Sequence, residues 1–179
     1  MKRMIPLLLA FLLCLVPCLA EEQDPAARTQ NISLTVNGTE VPVIWEDNPS
    51  VQQLREHLPL TIPTTGFGGL QKVGYLEQMI KGSDIQTDAE PGDILLFEDG
   101  WIMLFYGYHS GKYTRLGHIP VELTEEEMQE IEETVTELEQ AGELKEKAEK
   151  TEELIKQKKA EKMKELLGAK TTITISAGE

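Results

Sequence analysis

The sequence predicts a mainly β fold: a small closed barrel with short flanking helices, interrupted late in the chain by an antiparallel helical hairpin. Three observations lead there. Apolar residues alternate with polar ones in Ile32, Leu34, Val36 and again in Val41, Val43, Trp45, across an Asn37-Gly38 turn. That is the period-two pattern of a hairpin with one buried face. Residues 93–119 hold two apolar runs meeting at Asp99-Gly100 and a third beyond Ser110-Gly111, which reads as a three-stranded meander. The spacing then changes to three and four at Thr124 and returns to two at Thr171.

The N-terminus has the layout of an export signal. Lys2 and Arg3 precede an apolar stretch, Leu7–Val16, and Cys18-Leu19-Ala20 supplies small residues for cleavage. The stretch is short for a membrane span, which needs ~20 apolar residues. The expectation is a signal peptide over 1–20 and a flexible tether over 21–30, giving a secreted or cell-surface protein. Lipidation at Cys18 is the alternative, but Pro17 stands where lipoprotein signals carry a small residue. Membrane attachment would then come only through an uncleaved signal or a lipid on Cys18. Cleavage after Ala20 removes both cysteines, Cys14 and Cys18, so the mature chain would offer no disulfide, thiol nucleophile or thiolate metal site.

Cleavage also removes two of the 17 basic residues, leaving 15 against 31 acids and a net charge of −16. Such a surface repels phosphate backbones and argues against nucleic acid as a partner.

Next comes a short helix. Asn48 caps it, Pro49 occupies its first turn, and Val51, Leu54 and Leu58 form one apolar face that could plug a barrel mouth or cover a sheet. Pro59 ends it. Leu60–Ile62 is expected as a strand and Thr64–Gly69 as a glycine-rich loop. The loop lacks the Lys-Ser/Thr ending and the following helix of a phosphate-binding loop. Val73–Leu76 is expected as a strand, Glu77–Lys81 as one helical turn, and Ser83–Gly92 as a polar connection.

Trp101–Tyr108 is apolar on both faces, which places it centrally in the sheet. Thr124-Glu-Glu-Glu127 is a capping box, followed by Met128, Ile131, Val135 and Leu138 on one helical face. A second helix runs to Leu167, and Thr171–Ser176 is a last strand. One continuous helix from Glu125 to Leu167 would be roughly 65 Å long and could not return the last strand to a small barrel. The chain is therefore expected to double back at Ala141-Gly142. Charge agrees, since 125–143 holds nine acids and no base, while 144–167 holds eight lysines against six acids.

Asn48-Pro-Ser50, Leu58-Pro-Leu60, Pro91-Gly-Asp93-Ile94, Leu104-Phe-Tyr-Gly107 and Tyr113-Thr-Arg-Leu-Gly-His-Ile119 occur in the order found in the small bacterial cyclophilin-like domains, which this chain resembles. The resemblance implies a closed β-barrel built from residues 31–120 and 171–179. Residues 121–170 form a charged helical insertion where those domains usually have a short connection. The Phe-His-Arg and Gly-Ser-Gln-Phe-Phe stretches that build the proline pocket and catalytic arginine of eukaryotic-type prolyl isomerases are absent. Inheriting the barrel does not mean inheriting the enzyme.

No metal site, nucleophile elbow or cofactor motif is visible. His57, His109 and His118 lie far apart along the chain. The best cluster is Tyr106, Tyr108, His109, Tyr113 and Arg115 around one turn, where aromatic walls and a guanidinium could hold a proline-containing peptide. The alternative is that the tyrosines line the barrel rim and Arg115 pairs with the abundant acids. Two functions follow: a non-catalytic module that binds a peptide, ligand or protein partner, or a divergent extracytoplasmic prolyl isomerase.

Overall fold

The computed structural model describes residues 32–144 and 146–178. The expected signal peptide, the tether and Cys18 lie outside the described residues. The chain runs β1 (Ile32–Val36), β2 (Thr39–Val41), β3 (Ile44–Trp45), α1 (Pro49–Glu56), β4 (Leu60–Phe67), β5 (Gln71–Tyr75), β6 (Ile85–Ala89) and β7 (Asp93–Phe97). It continues through β8 (Trp101–Phe105), β9 (His109–His118), α2 (Glu125–Gln140), α3 (Lys147–Leu167) and β10 (Thr171–Ala177).

The strands form one antiparallel sheet that curls into a half-barrel, in the order β2-β1-β10-β4-β5-β8-β7-β9-β3, with β6 added on β9. The last strand enters the middle of this wall. Ile173 lies opposite Val36 of β1 on one side and Ile62 of β4 on the other. Because side chains alternate along a strand, this register points Ile173 and Ile175 inward together with Leu34 and Val36. Trp45 of β3, at one end of the path, donates its Nε1–H at 2.9 Å to Ile32 O of β1, the second strand from the other end. That side-chain bond ties the seam between β3 and β1.

The main core fills the concave side of the sheet with Leu34, Ile62, Ile94, Leu96, Ile102, Leu104, Leu116 and Ile173. Helix α1 closes one end. Asn48 accepts from Val51 N at 3.0 Å, as an N-cap should, and buries Val51 and Leu54 completely. A second, smaller core lies apart from the first: Leu95, Met103 and Phe105 pack beneath Ala89 of β6 and Tyr113 of β9.

Helix α2 begins with the capping box of Thr124 and Glu127. Three ion pairs tie α2 to α3: Glu127–Lys162 at 2.8 Å, Glu130–Lys158 at 3.1 Å and Glu139–Lys147 at 3.0 Å. Partner numbers fall along α3 as they rise along α2. Met163 and Leu167 of α3 enter the main core beside β10.

Local expectations need correction at five places. Strand β4 runs through Phe67, so Thr64–Gly66 are strand and not loop. Pairing with β10 at Thr64 and with β5 at Thr65 and Gly66 outweighs the local glycine content. Glu77–Lys81 forms no helical turn. Its backbone instead follows the β7–β8 connection, Leu76 N donating to Gly100 O and Ile80 N to Asp99 O, both at 2.8 Å. That connection is the three-residue Glu98-Asp99-Gly100, and the positive φ angles fall on Glu98 and Asp99 rather than on Gly100. Within the polar connection 83–92 lies a strand, β6. Finally, Ser110-Gly111 is not a turn; β9 starts at His109, and the chain bends at Tyr106-Gly107, where Tyr106 N and Gly107 N both donate to Leu70 O.

Candidate ligand-binding site

The five residues that the sequence groups are distributed over four environments. Tyr106 is buried in the main core and lines a hollow beside Lys72 and the C-terminal end of α3. Tyr113 and His109 are together: the Tyr113 hydroxyl lies 3.1 Å from His109 Nδ1, and the Tyr113 ring packs edge-on against Phe105 and Phe97. Tyr108 is exposed just past the bend. Burial raises the Tyr113 hydroxyl above its ordinary pKa, and burial followed by the nearby Glu90 charge raises that of Tyr108.

Arg115 has a different neighbourhood. Its guanidinium bonds to Asp93, whose side chain is fully buried, and His118 Nδ1–H donates to the same carboxylate oxygen at 2.9 Å. The other oxygen of Asp93 accepts from Glu90 N at 3.1 Å. Every polar atom of the carboxylate is thus occupied, as a buried charge requires. The local backbone makes this possible. Gly92 precedes Asp93 with φ +102, and a Cβ there would sit 2.2 Å from Ile119 O. Glu90, Asp93 and His118 present ligand-type atoms within 4.8 Å of one another. The Arg115 guanidinium on Asp93 supplies the positive charge that a cation would otherwise bring, and neither the sequence nor this geometry assigns a metal.

Arg115 also lines the rim of a groove of about 840 Å³ between α1 and β6. One wall is the first turn of α1, with Pro49, Ser50 and Gln53; the other is four consecutive residues of β6, Ile85–Asp88. The floor is fixed by hydrogen bonds. Asn48 Nδ2 donates to Arg115 O at 2.8 Å and Ser50 Oγ donates to Lys81 O at 2.8 Å. Lys81 N donates to Gln53 Oε1 at 3.0 Å, Gly82 N to Asp99 Oδ1 at 2.6 Å and Ser83 N to Thr114 Oγ1 at 2.7 Å. The groove is therefore preformed, concave and of the size that takes a small ligand or short peptide.

A model of the cyclophilin-like family matches residues 34–145. The chain belongs to that family. The matched span covers β1–β9 and also α2, and it stops before α3 and β10. Family membership accounts for the curled antiparallel sheet; it assigns no activity to the groove. No curated protein and no solved structure matches the chain.

Of the predicted site residues, only Arg115 reaches the groove. Lys81 and β6 were not singled out from the sequence, although Ile85, Thr87 and Ala89 alternate with Gln86 and Asp88, a short period-two signal. Asp93 stood in the Pro-Gly-Asp motif but had no partner assigned, because its contacts with Arg115 and His118 are more than twenty residues away.

Proposed function

We propose that this cyclophilin-like protein is an exported, non-catalytic binding module that holds a short peptide in the groove between α1 and β6. The observation that carries this reading is the groove itself: preformed, about 840 Å³, and walled on one side by four successive residues of a single strand. The prolyl isomerase alternative needs a guanidinium free to meet a substrate carbonyl. Arg115 is instead held by the buried Asp93, and Tyr113 fills the second core with its own ring. Its Nη1 is committed to that buried charge, so a substrate carbonyl would meet only the remaining N–H groups of a side chain fixed on Asp93.

In this reading the half-barrel wall is completed as a closed barrel across the β3–β1 seam, and α2 with α3 forms an antiparallel hairpin set between β9 and β10. The hairpin offers the acidic face of α2 to a protein partner outside the cell. Export rests on the charged start and apolar run of residues 2–16.

Two NMR measurements on the isotope-labelled protein test the function. Titration with a pool of heptapeptides is expected to shift the amides of Lys81, Ile85–Asp88 and Arg115. Exchange spectroscopy on an Ala-Pro peptide is expected to show no acceleration of cis–trans exchange at micromolar protein. Acceleration would move the assignment to the isomerase, and unmoved groove amides would remove the binding role.

A further inference from the structure

We infer that the groove takes its peptide as an added β-strand along the free edge of β6, with an acidic residue of the peptide at Lys81. This inference rests on the binding function proposed above and specifies the class of ligand. Strand β6 pairs with β9 and with no other strand among the described residues, in the register Ile85 opposite Tyr113 through Ala89 opposite His109. An antiparallel ladder uses the N–H and C=O of alternate residues on each side, so every second residue of β6 directs both groups outward. Ile85, Gln86, Thr87 and Asp88 line the groove in succession, which sets this edge on it, with Ile85 O already accepting from the Thr87 hydroxyl at 3.0 Å. A row of unpaired backbone groups is the surface to which an extended chain adds itself.

Edge strands that must not pair are usually guarded by an outward lysine, a proline or a bulge. The β6 edge has none of these. Ile85-Gln-Thr-Asp-Ala89 contains no lysine or proline, its register with β9 is unbroken, and its one acid, Asp88, is engaged by Ser110 Oγ. Ile85 is 66 % exposed at the start of the strand, an apolar side chain open to a cross-strand neighbour.

Size and charge identify the occupant. Five residues extend about 17 Å, the length of β6. The first turn of α1 stands across the groove from this edge, which leaves a place for one extended chain rather than for a whole sheet. A single extended peptide satisfies that limit and a flat edge of a second copy does not. Of the charged residues that line the groove, Arg115 is held by Asp93 and Asp88 by Ser110, while Glu46 and Lys81 make no ion pair among the described residues, so Lys81 is the cation there left to meet an acidic side chain. An acidic peptide residue there completes a pair that the chain leaves unmade.

The test uses the whole protein and an acetylated, amidated heptapeptide of alternating valine and threonine ending in glutamate. Two further versions carry backbone N-methyl groups, one at the even positions and one at the odd. Strand addition requires one version to lose affinity about tenfold or more, through lost main-chain hydrogen bonds, and the other to bind like the parent. In the Lys81→Gln protein the glutamate peptide weakens while its glutamine version does not. Equal binding of both methylated versions, with shifts still confined to the groove, overturns the strand mode and leaves the binding function standing. Concentration-dependent dimerisation through Ile85–Asp88 makes a second copy the occupant and also overturns it. Absence of any groove shift with every peptide removes the binding function itself.

Discussion

Asp93 is the residue on which the most local structure converges. Its carboxylate is fully buried and shared by Arg115, His118 and the Glu90 backbone. Removing its charge strands a guanidinium that is about one-third exposed, so part of the loss is recovered by solvent. Asp93→Asn is expected to cost roughly 2 kcal/mol by urea denaturation. Lys147→Ala, which breaks an ion pair more than half exposed on both sides, is expected to cost about 0.5 kcal/mol or less. A contrast in that order supports the pairing; equal losses would refute it. Tyr113 gives a second residue-scale expectation. Burial raises its hydroxyl above the ordinary 10.0, so the folded chain favours the neutral ring. Below about pH 10 both states keep the proton and stability is flat; above it the unfolded chain releases the proton first and stability falls. Tyr113→Phe loses the His109 contact near neutrality but also this alkaline decline, so melting curves should show its deficit narrowing between about pH 8 and about pH 11. A constant deficit would count against the assignment.

At the level of elements, legibility in the sequence followed how local the determinants are. Helix α1 could be read from Asn48 and Pro49, and α2 from Thr124 and Glu127, because a cap and a first turn are decided within four residues. Thr124→Ala is accordingly expected to cost about 1 kcal/mol of stability. Strand β6 was missed because its ladder with residues 109–113 is settled by chain twenty or more residues away. The extension of β4 through Phe67 has a mixed origin: Thr64 pairs with the distant Thr171, while Thr65–Phe67 pair with Gln71–Val73 in a local hairpin that the surrounding glycines conceal. The arginine cluster illustrates the limit at a site: sequence proximity joined Arg115 to Tyr106 and Tyr108, while the β7–β9 ladder joined it to Asp93. Gly92 is where an element is most exposed to a single change. Both Gly92→Ala and Gly142→Ala add a strained positive φ, worth about 1–2 kcal/mol, but only the Cβ at 92 also clashes with Ile119 O, so Gly92→Ala should lower the melting temperature more than Gly142→Ala, whose added Cβ meets nothing.

For the whole molecule, the curled sheet is held by a strand from the far end of the chain. β10 lies between β1 and β4, so the two helices before it must bring the chain back to within strand spacing of Val36. The half-barrel in turn fixes α1 against β6 and makes a groove that no single segment specifies. The residues that line it come from the 46–53, 81–88 and 114–115 regions, which explains why no local motif in the sequence locates it. The most direct measurement is a crystal structure of the protein with the glutamate-ended valine–threonine heptapeptide at saturation. The account requires an extended chain beside Ile85–Asp88, between β6 and the first turn of α1, with Arg115 still on Asp93. A peptide bound instead against Tyr108 and His109, with the groove empty, would contradict it.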